Sequence, residues 1–454
     1  MDDVGFAREV RQKIETMKKR LIVCIFALLI ISVNAVAKGN YEAVVAGDNY
    51  FVVLKTDGSL WAWGDNRAGQ LGDGTKSYRQ NPVKVMDDVR QVSVGRQHTM
   101  AIRNDGSLWA WGDNGDGQLG DGTQTQRSTP VKIMDDVRQV SAGGLHTMAV
   151  RNDGSLWAWG NNTFGEIGNG VEFSQPLSPV KVMDNVREVS AGGFFTFAIL
   201  NDGSLWAWGN NSSGELGDGT QTQRLSPVKI MDNVKQVSTG FAHTLALCCD
   251  GSLWAWGWNK YGQLGDGTTK NQDRPVKIMD NVRDLSANTS HTMAILNDGT
   301  LWGWGSNEAG QLGDSTNTDR HKPVKIMDNV LAVSAGGYHT MAILNDNTLW
   351  AWGGNSNGQL GDGTTTKRLT PVKVMDNVRK VSAGNLFTMA IRNDGSLWAF
   401  GANSIGQLGD GTLENRIIPV KVADGIKAIS CGTTVGMVVD DEGYLLTSGE
   451  VNYH

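Results

Sequence analysis

The chain has 454 residues, of which 58 are Gly and 19% are charged. Its net charge of −6 comes from acidic and basic residues mixed along the chain, which argues against a nucleic-acid partner and an anionic membrane surface. Such a length usually indicates two or three domains, although a closed repeat array can occupy all of it.

Residues 1–40 do not share the repeat that fills the rest of the chain. Three basic residues, Lys18-Lys19-Arg20, precede the uncharged and mostly apolar stretch Leu21–Val33, and Ala35-Val36-Ala37 follows it. This is the layout of a secretory signal peptide with a small-x-small cleavage pattern, and the apolar stretch is short for a membrane span.

We therefore expect the chain to have two parts. Residues 1–37 are predicted to be an N-terminal extension and signal peptide, with a start at Met17 and cleavage after Ala37. Residues 38–454 are predicted to form a single domain that is secreted or held in the cell envelope, with no other membrane contact. An uncleaved membrane anchor is the alternative.

A motif with a period of about 48 residues fills the rest of the chain. Ser-Leu-Trp-Ala-Trp-Gly, at Ser107–Gly112 in one copy, recurs in related form eight times, and a degenerate ninth copy lies at Leu445–Gly449. The first Trp of each copy is Trp61, Trp109, Trp157, Trp206, Trp254, Trp302, Trp350 or Trp398. A fixed period of this size is typical of repeat architectures such as propellers.

One repeat predicts four antiparallel strands. Alternating or small-residue stretches at Pro130–Met134, Val140–Gly143, His146–Val150 and Leu156–Trp159 favour strands, and Asn152-Asp153-Gly154 is a strong hairpin turn signal. No stretch keeps a helical period over a useful length. The fold class is therefore all-β, built from four-stranded sheets.

The Leu-Trp-Ala-Trp strand is apolar on both faces, because its two Trp share one face while Leu and Ala share the other. Both faces must be covered, which radial blades of a β-propeller achieve. Each Trp ring can bury roughly 150–250 Å², and we expect these rings to fill the wedges between blades.

The glycine-rich stretch Gly117–Thr123 is predicted to be a compact structural loop in which Leu119 packs against the blade. We favour this interpretation over a phosphate or calcium site, because Lys76 is out of register with a phosphate-binding loop and the EF-hand pattern is absent. An Arg three residues before the Pro of six copies is expected to pair with the Asp of this loop: Arg79, Arg127, Arg224, Arg320, Arg368 and Arg416.

These motifs resemble the regulator of chromosome condensation family of β-propellers. The matching residues are Gly143-Gly-Leu-His146-Thr147, Asp153-Gly154, Trp159–Asn162 and, in the preceding copy, Gly117–Gly120. The resemblance implies a propeller, typically of seven blades. Here the copies predict about nine, the last of them partial, or alternatively eight with a trailing piece. Residues 35–38 align with a blade strand and are a candidate for the missing fourth strand.

The resemblance also bears on function. Eukaryotic members drive nucleotide exchange on a small nuclear GTPase, whereas a secreted bacterial relative, the β-lactamase inhibitor protein of the second kind, binds an enzyme. With its export signal, this chain is predicted to be a secreted bacterial type: a monomeric, catalytically inactive scaffold without cofactors that binds a protein. The alternatives are a secreted enzyme inhibitor, an enzyme acting on an envelope polymer through the central channel, and an exchange-factor-like effector delivered to a host.

Loops that differ between copies are the candidate partner site, because positions common to all copies serve the blade. The loop before the His-Thr strand is rich in aromatic residues, which are good interface anchors. The predicted partner-binding residues are Tyr50, Arg96, Leu145, Phe194, Phe195, Phe241, Tyr338, Leu386 and Phe387. The alternative is that they plug the central channel. A second variable loop precedes the Pro of each copy.

Two further residue sets receive structural interpretations. A His recurs at one blade position and gives way to Phe in two copies, which indicates a packed core site and not a metal ring: His98, His146, His243, His291 and His339. Cys248, Cys249 and Cys431 follow no disulfide or zinc pattern. No catalytic or metal site is predicted.

Overall fold

The computed structural model describes residues 41–239, 242–287, 290–432, 436–440 and 445–448. They form 35 strands in nine antiparallel sheets, eight with four strands and the last with three among the described residues. No helix within these ranges is long and apolar enough to cross a membrane. The predicted signal peptide and residues 35–38 lie outside the described residues.

The sheets are numbered 1 to 9 in chain order, and each consists of consecutive strands. Sheets 1 to 3 contain β1 (Tyr41–Ala46), β2 (Tyr50–Lys55), β3 (Leu60–Gly64), β4 (Arg79–Met86); β5 (Val89–Val94), β6 (His98–Arg103), β7 (Leu108–Gly112), β8 (Arg127–Met134); β9 (Val137–Ala142), β10 (His146–Arg151), β11 (Leu156–Gly160) and β12 (Val180–Met183). Sheets 4 to 6 contain β13 (Val186–Ala191), β14 (Phe195–Leu200), β15 (Leu205–Gly209), β16 (Arg224–Met231); β17 (Val234–Thr239), β18 (His243–Cys248), β19 (Leu253–Gly257), β20 (Gln272–Met279); β21 (Val282–Ala287), β22 (His291–Leu296), β23 (Leu301–Gly305) and β24 (Arg320–Met327). Sheets 7 to 9 contain β25 (Val330–Ala335), β26 (His339–Leu344), β27 (Leu349–Gly353), β28 (Arg368–Met375); β29 (Val378–Ala383), β30 (Phe387–Arg392), β31 (Leu397–Gly401), β32 (Arg416–Ala423); β33 (Ile426–Cys431), β34 (Gly436–Asp440) and β35 (Leu445–Ser448).

The four predicted strands per repeat are confirmed, but the Pro-containing strand belongs to the sheet before it. In β8, Lys132 pairs with Trp109 and Val131 pairs with Ala110 of β7. The strand follows the glycine-rich loop and returns antiparallel to the Trp strand that precedes that loop. A structural blade therefore starts at the small-residue strand, such as β9, and ends at the Pro strand of the next sequence copy.

The face of a sheet that carries the motif Leu and Ala packs against the face of the next sheet that carries the motif Trp. The second Trp of each motif therefore lies between the two sheets. Leu108, Ala110 and Leu119 of sheet 2 form one cluster with Ala149 and Trp159 of sheet 3. The Trp159 ring is fully buried, and the expected wedge filling is confirmed for the second Trp of the motif. The first Trp is only half-buried, as the burial pattern of β11 shows.

The two ends of each sheet differ in character. The loop after the first strand and the loop after the third strand lie at the same end, because the strands alternate in direction; the Asp113 N–H donates to Gln97 O at 2.8 Å and joins these two loops. We call this end the loop face. The opposite end, the turn face, carries the Asp-Gly hairpins and the Met-Asp turns, joined for example by Asn152 N–H to Asp136 O at 2.8 Å.

Candidate functional site

The glycine-rich loop of each blade is a rigid base for the loop face. The Asn114 side chain spans it, accepting from Leu119 N–H at 3.0 Å and donating to Asp121 Oδ1 at 3.1 Å and Thr123 O at 3.0 Å. Leu119 is fully buried, as predicted. At Gly120, φ is +81°, and a Cβ there would lie 2.6 Å from Trp159 Nε1 in the next sheet. The loop conformation therefore requires glycine at this close approach.

The predicted Arg–Asp pairs are confirmed in all six copies. Arg127 Nη2 lies 2.6 Å from Asp121 Oδ2, and the equivalent pairs are Arg79–Asp73, Arg224–Asp218, Arg320–Asp314, Arg368–Asp362 and Arg416–Asp410. Burial raises the pKa of Asp121, but hydrogen bonds from Thr123 and Arg127 outweigh it, and the net pKa lies below the usual value. These side chains hold the loop and are not free to bind a partner.

Three predicted partner-binding residues are buried, so their predicted place in a surface loop is wrong. Tyr50, Phe195 and Phe387 begin the second strand of their sheets, with relative exposures of 0%, 5% and 0%. Each occupies the blade position that holds His in other copies. The Tyr50 hydroxyl donates to His98 O at 2.6 Å inside the protein. A partner at the loop face would not reach these side chains.

The recurrent His residues are packed core residues, as predicted. His98 and His146 are buried, and His98 Nε2 lies 3.2 Å from Thr147 Oγ1 in the next sheet. Burial lowers the pKa of His98 to about 4 and that of His146 to about 3, so both rings are neutral at pH 7. Among the described residues, no group of three or more His, Cys, Asp or Glu side chains is placed to hold a metal ion.

Five other predicted residues lie on the loop face. Arg96, Leu145, Phe194 and Leu386 are half-buried, and Tyr338 is 54% exposed. Phe241 lies outside the described residues. The five described side chains belong to sheets 2, 3, 4, 7 and 8, so no single blade holds the predicted site.

Arg96 and Phe194 form the centre of a contact that joins three sheets. The Arg96 guanidinium carbon lies 5.8 Å from the Phe194 ring centroid, within cation–π range. Phe164 of sheet 3 meets Phe194 edge-to-face, with centroids 5.4 Å apart. Phe164 follows the third strand and was not predicted as a site residue.

Backbone hydrogen bonds connect the short loops of neighbouring sheets on this face. The Asp48 N–H donates to Arg96 O at 3.2 Å, Arg96 N–H to Gly144 O at 3.5 Å, and Gly144 N–H to Gly192 O at 3.3 Å. The loops of sheets 1 to 4 therefore form one continuous surface and do not project separately.

An aromatic pair on sheet 5 was not among the predicted site residues. Trp258 and Tyr261 follow the third strand, β19, and their rings meet edge-to-face with centroids 5.6 Å apart. The Lys260 ammonium lies 5.5 Å from the Tyr261 ring centroid. Trp258 is the one Trp outside the repeated motif, and that exception was the sequence signal that could have found this pair.

Glu166 and Glu215 are buried beneath the same face, at the position of the loop Gln in other copies. Glu166 Oε2 accepts the Phe164 N–H at 2.8 Å, and Glu215 Oε2 accepts the Ser213 N–H at 2.6 Å. Burial raises the pKa of Glu166 to about 7 and also raises the pKa of Glu215. The backbone N–H of Phe164 is therefore hydrogen-bonded to a carboxyl group whose pKa lies near neutral pH.

The turn face is chemically uniform by contrast. In each of the first eight copies an Asp accepts hydrogen bonds from the Ser or Thr two residues later, as Asp153 does from Ser155 N–H at 2.9 Å. Exposed pairs such as Lys132–Asp135, at 2.7 Å, recur beside it. The variable side chains thus concentrate at the loop face, above the repeated glycine-rich loops, whereas the turn face carries mostly repeated side chains.

Successive four-stranded sheets with buried Trp wedges define a β-propeller. A model of the RCC1-like domain matches residues 18–327, and models of the regulator of chromosome condensation (RCC1) repeat match residues 346–391, 394–439, 330–359 and 378–407. The chain belongs to the RCC1-like family.

Solved structures agree on the fold. Prp20p of Saccharomyces cerevisiae, described with its binding to Gsp1p and histones, is 21% identical, with a TM-score of 0.52 over 90% of this chain and 96% of that chain. Yeast RCC1 (Prp20), from a complex with Kap60, is 20% identical, with a TM-score of 0.51 over 94% of this chain and 96% of that chain. Likeness at this identity shows the fold alone. No curated protein matches the chain.

Proposed function

We propose that this protein is an exported, non-catalytic propeller that binds a protein partner through its loop face. The observation that carries the proposal is the Arg96–Phe194–Phe164 contact, which places a cation and two aromatic rings side by side across three sheets. Tyr, Phe and Arg in such clusters are typical anchors of protein interfaces.

The distribution of variation supports this face. Loop-face residues differ between copies and include the exposed Tyr338 and the Trp258–Tyr261 pair. Turn-face residues repeat, which suits a structural role. Export rests on the signal-peptide pattern of residues 18–37. A secreted enzyme is one class of partner under this proposal, and the protein would then act as its inhibitor.

The test compares two triple variants in a pull-down with the purified propeller as bait and culture supernatant as the source of partner. Phe194→Ala, Tyr338→Ala and Leu386→Ala remove loop-face side chains, and we expect about a hundredfold or greater loss of affinity for the captured partner. Lys84→Ala, Lys132→Ala and Lys325→Ala remove exposed ion pairs near the turn face and should leave binding unchanged. If the loop-face variant kept its affinity for the partner and the turn-face variant lost it, the binding surface would lie at the turn face and the proposal would be wrong.

A further inference from the structure

A groove of about 470 Å³ lies on the outer wall between sheets 4 and 5. Its lining includes Lys229 and Met231 of β16 on one side, and Trp254 of β19 with Arg274 and Pro275 of β20 on the other. A volume of this size suits a small organic ligand. The groove is separate from the loop-face residues of the proposed protein-binding site.

The charges in the groove leave one cation unpaired. Asp218 is paired with Arg224, and Lys229 Nζ lies 2.8 Å from Asp232 Oδ1. Arg274 is exposed and forms neither an ion pair nor a hydrogen bond with the part of the chain that the structure describes. Because Asp218 and Asp232 each pair with another cation, Arg274 is the lining cation left for an anionic ligand, which suits a monoanion better than a dianion.

Beside these charged residues, part of the groove lining is apolar and is formed by Trp254, Met231 and Pro275. Trp254 is half-buried, and its Nε1–H donates to Ser252 Oγ at 3.0 Å, which holds the ring orientation. Met231 packs with it in the cluster between the two sheets, and a thioether adapts to irregular ligand shapes. Pro275 completes this wall without adding a donor.

Gly219 makes room for the Arg274 guanidinium. A Cβ on Gly219 would lie 2.3 Å from Arg274 Nη2, so the guanidinium lies over the bare backbone of this loop. The same arrangement recurs in the next groove, where Lys322 Cε lies 2.5 Å from a Cβ built on Gly267. The residue at this position differs between copies and is Asn81, Thr129, Ser178, Ser226, Arg274, Lys322, Thr370 or Ile418.

We propose that the groove between sheets 4 and 5 binds a small amphipathic carboxylate, with Arg274 on the carboxylate and Trp254 on the apolar body. A guanidinium fork matches a carboxylate in a bidentate pair, and the half-buried indole offers a flat apolar surface beside it. The ligand is either a free organic acid or the C-terminal carboxylate of a peptide that ends in an apolar residue.

Ligand-observed NMR titration of the full chain with 3-phenylpropanoate tests the proposal. The expected result is saturable binding that the uncharged amide, 3-phenylpropanamide, lacks. Arg274→Thr should weaken binding tenfold or more, because the charged hydrogen bonds are lost. Its melting temperature should not change, because Arg274 forms no ion pair or hydrogen bond within the described residues. Arg274→Lys should retain part of the affinity, because the charge remains without the fork.

The groove between sheets 1 and 2 provides a matched gain-of-function control. It has Thr129 in place of Arg274 and Val85 in place of Ile230, which also lines the groove, while Gly74 stands where Gly219 does. A Cβ on Gly74 would lie 3.8 Å from Thr129 Cγ2, so a longer side chain has room. Thr129→Arg should add a second site of similar affinity.

The peptide Gly-Gly-Phe with a free carboxylate separates the two ligand sources. Tighter binding of this peptide than of 3-phenylpropanoate points to a chain terminus, and the reverse order points to a free acid. Equal binding of the acid and its amide, unchanged affinity in Arg274→Thr, or no saturable binding at millimolar ligand would each overturn the proposal.

Discussion

Single residues that depart from the repeat show which positions are adjustable, and Glu166 is the clearest case. Gln118 accepts the Asp116 N–H at 2.9 Å through its side-chain oxygen, as Glu166 accepts that of Phe164. The amide and the carboxylate therefore have the same structural role. Only the carboxylate requires desolvation of a charge, and burial raises its pKa to about 7.

We expect Glu166→Gln to stabilise the protein at high pH only. Because the folded-state pKa of Glu166 lies above its unfolded value, its contribution to stability is complete at low pH and is lost as the pH rises towards 7. The variant should exceed the parent by up to roughly 3 kcal/mol in unfolding free energy at pH 8 and equal it near pH 4. Urea unfolding at both pH values measures the difference. Gln118→Glu is the converse control, and a gain from Glu166→Gln that is the same at both pH values would contradict the explanation.

At the edge of the candidate site, the residue type did not show which aromatic side chain belongs to the loop and which to the strand. Phe194 and Phe195 are adjacent and both aromatic, yet one is half-buried on the loop face and the other packs within the sheet. The register of Phe195 opposite Gly209 decides its burial, and sequence periodicity locates strand ends only to within about two to four residues. Alignment of Tyr50, Phe195 and Phe387 with the recurrent His was the available signal.

At the scale of the strand, the two Trp of each motif make different contacts. The Trp159 Nε1–H donates to Gln118 O at 2.9 Å across the sheet boundary, whereas the Trp157 Nε1–H donates to Ser155 Oγ in its own hairpin at 2.9 Å. Trp159 is fully buried and Trp157 is half-buried. Both rings contact the apolar cluster between sheets 2 and 3, but only Trp159 is fully enclosed and also hydrogen-bonds to the neighbouring sheet.

We expect Trp159→Ala to cost about 3–5 kcal/mol in unfolding free energy, because it leaves a cavity between sheets 2 and 3. Trp157→Ala should cost roughly half as much, since part of that ring already contacts water. Trp159→Phe should be mild, because Phe400 occupies this position in one copy and the Thr147 hydroxyl still donates to Gln118 O at 2.9 Å. Calorimetric or urea unfolding orders the three variants, and equal losses for the two Ala variants would refute the distinction.

The sequence correctly predicted the local structures that recur in many copies of the repeat. The Asp-Gly hairpin, the buried Leu119 and the Arg127–Asp121 pair were all predicted, because each solves the same local problem in many copies. The boundary of a blade was not predicted correctly. A period of 48 residues is the same wherever counting starts, and only the pairing of β8 with β7 identifies the first strand.

For the whole molecule, the ninth sheet links the architecture to the proposed export. Its described residues form β33, β34 and β35, without the Pro strand that completes the other eight sheets. The sequence makes residues 35–38 a candidate for this strand, and the same residues contain the Ala35-Val36-Ala37 cleavage pattern. If the signal peptide is cleaved after Ala37, residues 35–37 are removed and this segment cannot complete the ninth sheet. If the segment completes the sheet, cleavage at this site has not occurred.

We expect N-terminal sequencing of the exported protein to begin at Lys38. The small residues Ala35 and Ala37 fit signal peptidase, and the apolar stretch Leu21–Val33 has the length of a signal core. The exported form would then keep a ninth sheet without residues 35–37. A first residue upstream of Ala35 would contradict cleavage at this site and leave the segment available as the fourth strand.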